Sequence, residues 1–304
     1  MLELTNDKRQ ADSPTIGDPR QVQPLLGENE AEVLDFLSAH PLLTFVMTGW
    51  IRDNGLVSQL NRGTFYGSRN HRGELDGVAL VGHVNLFETT SESALSAFAE
   101  LIKACPSAHV VMGQQQRVSR LMSYYTPGAQ PPRKTFRELL FEQRSKERVE
   151  DPVSCLRRAT IDELDLVVPV HAAMTVEETG VNPLEVDPLG FRKRCARRIQ
   201  QGRVWVCIKD EQLVFKADVI TDLPEVNYLE GIYVRSEDRG HGLGARCMRQ
   251  LTNVLLTHTK SVCAMTKEEK SAAAAEACYR NAGYRLRERY ETVYLEQKSD
   301  AMVN

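Results

Sequence analysis

Arg239 is followed by glycines at positions 240, 242 and 244. This Arg-Gly-His-Gly-Leu-Gly run lies between an apolar, strand-favouring stretch (Tyr228 to Val234) and a helical pattern that starts at Leu243. Glycine costs backbone entropy, so three of them at the mouth of a helix imply a requirement. A helix N-terminus exposes unpaired N–H groups and partial positive charge, and glycines let a phosphate reach them. The chemistry on offer is therefore capture of a pyrophosphate. An ordinary glycine-rich turn is the plainer reading. The adjacent arginine, the third glycine and the strand-to-helix setting favour the cradle. Two other phosphate motifs do not fit. A dinucleotide fingerprint needs G-x-G-x-x-G and an acidic residue about 20 positions on, where this chain has Cys263-Ala-Met265. A P-loop needs G-K-[S/T], whereas Ala245 and Arg246 follow Gly244.

The rest of the chain narrows the setting. Its 304 residues allow one large domain or two ordinary ones. A net charge of −3 gives no reason to expect nucleic acid or an anionic membrane as partner. The seven cysteines (105, 155, 195, 207, 247, 263 and 278) are scattered, with no C-x-x-C and no Cys/His ligand spacing. They read as reduced thiols in a cytoplasmic compartment, without a metal site or a disulfide framework. The polar N-terminus does not resemble a signal peptide, and no apolar run reaches membrane-spanning length.

The elements that must position the glycine turn follow from pattern. Residues 1–27, with three prolines and two glycines, read as a flexible arm whose last residues can join a sheet. Within 28–150, a helix stops before Pro41 and strands are expected at 63–67 and 78–87. A helix opens at Ser91-Glu92, a strand covers 110–112, a helix covers 114–125 and a strand covers 136–141. The charged stretch 145–152 marks the boundary. From 151 to 304 a similar order restarts: a strand at 155–158, a capping box at Thr160 to Glu163, and a helix kinked or broken at Pro169. A helix at 188–201, a hairpin across Asp210-Glu211, strand 228–234, helix 243–255, strand 261–265, helix 272–281 and strand 290–295 complete it. Both halves are mixed α/β and read as divergent copies of one unit.

At this point the residues resemble a known family. Arg239-Gly-His-Gly242-Leu-Gly244 matches the R-x-x-G-x-G/A motif of the GNAT acyltransferases, and Leu229 to Val234 looks like that family's fourth strand. Ala277 to Tyr284 resembles its late tyrosine segment. The stretches 171–183, 202–206 and 214–219 are similar to a bacterial two-domain group, in which a divergent GNAT-like domain precedes a GNAT domain. The resemblance implies a central, mostly antiparallel mixed sheet flanked by helices. It also implies acetyl-CoA as cosubstrate, held at Arg239, Gly240, His241, Gly242, Leu243, Gly244 and Ala245. The fourth strand would part from the fifth, leaving the backbone of Ile232, Tyr233 and Val234 to hold pantetheine and polarise the thioester.

Tyr279 matches the tyrosine that protonates the departing thiolate, with helix packing as its other role. Glu230 is a base for the attacking amine, or a carboxylate that orients it. Glu177 and Glu178 lie where acceptors enter; they attract a cationic amine or form a solvated pair. His241 touches phosphate or faces solvent, and Lys216 is a cleft group or a surface lysine. Two departures stand out. Thr266 to Lys270 replaces a segment that often carries a CoA-contacting asparagine, and the first half has no glycine turn of this kind. The expected function is N-acetyl transfer to a primary amine. The alternative is a non-catalytic acyl-CoA-binding regulatory module.

Overall fold

The computed structural model describes residues 22–127, 129, 132–269 and 272–296. The first half runs β1 (Val22–Pro24), α1 (Glu30–Ser38), α2 (Pro41–Asn54), β2 (Gly63–Arg69), β3 (Leu75–Gly82), β4 (Val84–Thr89), α3 (Glu92–Ala104), β5 (Val110–Gln114), α4 (Gln115–Tyr125) and β6 (Lys134–Gln143). The second half runs β7 (Leu156–Arg158), α5 (Leu164–Thr179), α6 (Pro183–Val186), α7 (Pro188–Gln200), β8 (Val204–Lys209), β9 (Gln212–Asp222) and β10 (Asn227–Val234). It continues through α8 (Leu243–Leu255), β11 (Val262–Lys267) and α9 (Ala273–Asn281) to β12 (Arg285–Tyr294). The order β-β-β-α-β-α-β occurs in both halves (β2 to β6 and β8 to β12).

Local chemistry accounts for most of these elements. Ser91 caps α3 by accepting from the Ala94 amide at 3.3 Å. The Thr160 amide donates to Glu163 at 2.8 Å, which is the glutamate half of the expected capping box. Asp210 and Glu211 both take positive φ (49° and 59°). That is the twist a two-residue hairpin between β8 and β9 requires.

Several expectations need correction. The last residues of 1–27 join the sheet, as the sequence allows, so the arm ends before Val22: Val22–Pro24 pairs with β2, and Val22 and Leu25 are buried; residues 1–21 lie outside the described residues. The single strand expected at 78–87 is two, because the chain reverses at Gly82-His83. A side chain at Gly82 would sit 2.3 Å from the Arg62 carbonyl oxygen. Helix α2 had no forecast, and it starts at Pro41 itself, where the missing N–H costs nothing. Pro169 does not break α5, which continues to Thr179 on the strength of buried Val167, Val168 and Ala172. The thiols are not all reduced: Cys155 and Cys207 form a disulfide. Antiparallel pairing sets Leu156 opposite Cys207, bringing the two cysteines together from 52 residues apart.

The twelve strands form one sheet in the order β1-β2-β3-β4-β5-β12-β6-β11-β10-β9-β8-β7. Its centre holds an exchange. β6, the last strand of the first half, pairs with β11 of the second; β12, the last strand of the second half, pairs with β5 of the first. The two exchanged strands also pair with each other from Arg285–Glu142 to Tyr294–Lys134. The boundary at 150/151 divides the sequence into two similar runs of elements, but the sheet is continuous across it.

Helices cover both faces. On one, α8 and α9 pack Leu243, Cys247, Leu251 and Tyr279 against Phe215, Leu229, Val262 and Ala264. On the other, α5 and α7 cover Val204 and Val206. On that same second face, α2 lays Phe45 against Leu140, Tyr228 and Tyr290. Helix α2 thus bridges the halves. Gly49 lets it approach β9, since a Cβ there would meet Thr221 Cγ2 at 2.5 Å. Asp53 accepts from Arg203 of β8's leading turn at 2.7 Å.

A fragment starting at Asp151 lacks β6 and so leaves long edges of β11 and β12 unpaired, a template for aggregation. Expressed alone it is expected to aggregate, and co-expression with residues 1–150 is expected to yield a soluble complex. Size-exclusion chromatography tests this; a monodisperse, folded 151–304 fragment would contradict it.

Candidate active site

Among the described residues, parallel pairing occurs only at β4/β5 and β10/β11, and in each case the strands part after a few residues. β10 pairs with β11 at Asn227–Val262, Tyr228–Cys263 and Leu229–Ala264, then diverges. Beyond Leu229, the β11-facing backbone groups of β10 have no strand partner. Ile232, Tyr233 and Val234 all lie in this stretch and are half-buried. On its other edge β10 stays paired with β9 through Val234–Phe215.

The pairing with β9 contains a bulge. Glu230 opposes Asp218 and Tyr233 opposes Lys216, so two residues of β10 face the single Ala217. Gly231 sits in the bulge at φ +60°.

The glycine turn follows at once. Gly240 and Gly242 take φ of +80° and +74°, with open space around both, so conformation rather than crowding requires glycine there. Helix α8 has Gly242 as its N-cap and no side-chain cap. Its first backbone bond is Arg246 N–H to the Gly242 carbonyl at 3.1 Å. The amides of Leu243, Gly244 and Ala245 therefore precede the first helical donor and are available to an anion. Gly244 serves close packing: a Cβ would meet Val234 Cγ2 at 3.0 Å and Cys278 Sγ at 3.1 Å. Arg239 Nε donates to the Val234 carbonyl at 2.8 Å, folding the guanidinium over the end of β10. His241 is exposed.

Tyr279 is buried on α9, and its hydroxyl donates to the Met265 carbonyl at 3.2 Å. Met265 is the residue after Ala264, the last β11 residue paired with β10, so the phenol lies at the mouth of the splay. Burial raises its pKa above the ordinary phenol value, with the neighbouring Cys278 and Glu230 adding to the effect. It stays a proton donor across the physiological range. Cys278 is no thiolate either, because burial lifts it to about 11.

Glu230, at the start of the splay, shares a face with Lys216 and Asp218. It is exposed by area, yet protein surrounds it closely. Enclosure governs its titration, because a cleft ringed by protein solvates charge poorly. Burial raises its pKa to about 7; Glu178, Asp218 and Glu138 push the same way, and Arg198 opposes them. Glu178, near the end of α5, is likewise open by area and raised first by desolvation. The charges of Glu138, Glu177, Lys216 and Lys267 also act on it.

Glu138 was not anticipated. It lies on the exchanged strand β6, opposite Lys267, and accepts from Thr292 Oγ1 at 2.6 Å. Nothing in its local sequence marks it, since its position depends on a strand crossing from the other half. Lys216 is not a surface lysine; only 1% of its side chain is exposed. Lys267, from the segment that departs from the family pattern, stacks over Phe136 at 4.8 Å. Among the described residues no group of His, Cys, Asp and Glu is arranged to hold a metal. Among the same residues no helix is long and apolar enough to cross a membrane.

The first half contains the same splay in filled form. β4 pairs with β5 only at Val84–Val110 and Asn85–Val111. Asn85 and Asn227 are both fully buried and each accepts from an amide of the preceding turn. Glu88 follows Asn85 at the spacing by which Glu230 follows Asn227. But Glu88 is buried and paired with Arg117 of α4 at 2.5 Å and His40 at 3.1 Å. The cavity left beside them is about 20 Å³, room for about one water. Helix α3 is capped by its own Ser91, which takes up the Ala94 amide.

The description "Acetyltransferase (GNAT) domain" matches residues 200–286, which span the bulged strand, the glycine turn, α8, β11 and α9. Residues 200–286 thus match a GNAT acetyltransferase domain. The fold agrees over nearly the whole chain. A GNAT-family acetyltransferase from Colwellia psychrerythraea superposes with a TM-score of 0.58 at 12% identity, covering 90% of this chain and 99% of its own. A Drosophila protein gives 0.65 at 14%, covering 92% and 99%. A tandem GNAT protein from the clavulanic acid biosynthesis pathway gives 0.52 at 15%, covering 90% and 98%. No curated protein matches the chain. The arrangement is thus two GNAT-like units, and GNAT domains use acetyl-CoA as cosubstrate.

One cosubstrate per chain is expected by calorimetry, because only the second splay is open. Gly242→Val forces a β-branched residue into a left-handed conformation, a strain of about 1–3 kcal/mol, and blocks phosphate approach. CoA affinity should fall by roughly tenfold or more while the folded state, checked by circular dichroism, persists. Unchanged affinity would refute the cradle.

Proposed function

We propose that the chain transfers the acetyl group of acetyl-CoA directly to a primary amine on a cationic acceptor. One observation carries this reading: Glu230 stands at the parting of β10 and β11 with a pKa near neutrality, and Glu178 and Glu138 act on it from two other elements. A carboxylate that titrates near 7 can accept a proton from an ammonium, directly or through water. The surrounding acidic groups favour a positively charged acceptor, either a small polyamine-like molecule or a protein amine. A cytoplasmic setting would supply the acetyl-CoA.

In the proposed reaction the acceptor ammonium gives a proton to Glu230. The freed nitrogen lone pair attacks the thioester carbonyl carbon. The oxygen charge that develops is met by a backbone N–H within Ile232 to Val234. Collapse breaks the C–S bond as the nitrogen gives its second proton to solvent water, and the departing thiolate takes the Tyr279 proton. The tyrosinate is reprotonated from solvent, and the amide product and CoA leave. Pyrophosphate binding on Leu243, Gly244 and Ala245 fixes the thioester against the acceptor face. Glu177 and Glu178 draw the cation in.

The decisive experiment follows free thiol release from acetyl-CoA in the presence of diamines, polyamines, aminoglycosides and lysine peptides. Turnover supports the enzyme. CoA binding without turnover on any of these supports the acyl-CoA-binding regulatory module instead. With an active amine, Tyr279→Phe should lower turnover by roughly 10²–10⁴-fold at unchanged CoA affinity. For Glu230 the sign follows from its function as a carboxylate. Wild-type activity should rise as pH passes about 7, and Glu230→Gln should remove that limb, leaving only the rise set by the acceptor's own amine. A limb that survives in Glu230→Gln belongs to another group. Glu138→Gln should raise the apparent KM for diamines more than for monoamines; equal effects would separate Glu138 from acceptor recognition.

A further inference from the structure

Beneath the bulge of β10 lies a charged network that the transfer chemistry above does not use. Lys216 Nζ is 2.8 Å from Asp218 Oδ1, and both side chains are no more than 2% exposed. Asp218 Oδ2 accepts from Arg198 of α7 at 2.7 Å. His171 of α5 completes the group, with Nδ1 3.4 Å from Lys216 Nζ and 3.7 Å from Asp218 Oδ2. Its imidazole stacks on Phe191 with centroids 5.3 Å apart. Burial, and then the Lys216 charge, lower its pKa to about 4, so it is neutral. Burial works against ionisation of Asp218, but Lys216 and Arg198 outweigh it and hold the carboxyl below its ordinary value.

A buried ion pair is weak evidence for stability, because an apolar pair of the same size is often as good. The place of this pair is more informative. Lys216 Nζ also donates to the carbonyl of Gly231, at 3.3 Å. A Cβ at Gly231 would sit 2.9 Å from Nζ and 3.2 Å from Asp218 Oδ2. Glycine at 231 therefore does two things: it adopts positive φ, and it lets the ammonium close on its carbonyl. A bulge leaves one residue without a ladder partner, and here a side chain supplies the missing donor. The bulge in turn decides what faces where. Glu230 opposes Asp218 and Tyr233 opposes Lys216, so both lie on the acceptor face although they are three residues apart. In an unbroken strand they would point to opposite faces.

We infer that Lys216, held by Asp218, is a positioning residue for acetyl transfer: its bond to the Gly231 carbonyl fixes the bulge that sets Glu230 toward the acceptor and Ile232 to Val234 toward the thioester. The inference rests on the acetyl-transfer reading and adds to it a residue that touches neither substrate.

The test replaces both members of the pair with apolar side chains, Lys216→Met with Asp218→Leu, in the full chain. The substitution removes one positive and one negative charge. The groups that face Glu230 from α5, α7 and β6 (Glu178, Arg198 and Glu138) remain, with unchanged net charge around it. The probe is acetyl-CoA with spermidine, read as free thiol; the slow release to water is the second readout. Expected are a turnover lowered roughly 10- to 100-fold, the scale of a misplaced reacting group, CoA affinity within about threefold because the cradle is untouched, and a pH limb that moves down, because Asp218 no longer raises Glu230. Turnover within about twofold of wild type in a folded double variant would overturn the inference and reduce the pair to a structural role. If the double variant does not fold, Gly231→Ala applies the same question, because its Cβ displaces the ammonium: wild-type turnover there overturns the inference as well. Absence of thiol release in the wild-type chain, by contrast, would count against acetyl transfer itself.

Discussion

The hydrogen bonds that β6 makes on both edges hold this molecule together. On one side it pairs with β11 from Val262–Gln143 to Lys267–Glu138; on the other it pairs with β12 over nearly its whole length. Each half gives its last strand to the other, so neither half has a complete sheet by itself. An interface made of side chains alone would let two domains rock against each other. Backbone ladders do not slide, because a slip of one residue would reverse every side chain on the strand. The acceptor face that spans the halves is therefore rigid across its join. Leu140 of β6, Phe45 of α2, Tyr228 of β10 and Tyr290 of β12 pack there as one cluster.

The two splays differ in what fills them, and the difference is local. Parting two parallel strands leaves backbone groups without partners, which must be met by something. In the second half that something is, on the proposed reading, the cosubstrate, with an uncapped helix and positive-φ glycines beside it. In the first half the space is taken by Arg117 on Glu88, and Ser91 caps the helix that would otherwise face a phosphate. His40 pairs with the same Glu88, and the space left beside it holds about one water.

Much of the second half was legible in its residues, because its signals are short-range. Helix α8 has the bounds its apolar spacing implies, the β8/β9 hairpin turns at Asp210-Glu211, and the glycine turn sits between strand and helix. These depend on contacts within a few residues. What escaped depends on distant partners. Nothing near Lys134–Gln143 says that this strand crosses to β11, so Glu138 could not be placed in the cleft. Lys216 reads equally as a cleft group or a surface lysine until Asp218, Arg198 and the Gly231 carbonyl are seen around it. Cys155 and Cys207 meet only through the register of β7 against β8. The Asn-x-x-Glu spacing shared by Asn85–Glu88 and Asn227–Glu230 was present in the sequence. It gains meaning once both asparagines are seen at the root of a splay.

The asymmetry of the halves separates two tasks that a single GNAT unit must combine. On the proposed reading, the groups that meet the cosubstrate, from Ile232 to Ala245 and Tyr279, all come from residues 200–286, with Ile232, Val234, Leu243 and Tyr279 packed on the α8/α9 side of the sheet. The opposite face receives Glu230 and Glu178 from the second half but Glu138 and α2 from the first. A change on α2 or β6 can therefore alter what meets the acceptor without touching the glycine turn or the uncapped helix. On the proposed reading, the first half closes its own splay and contributes a wall to the other one. The strand exchange is what makes this division workable, because it fixes that wall to the catalytic sheet by backbone hydrogen bonds rather than by a hinge.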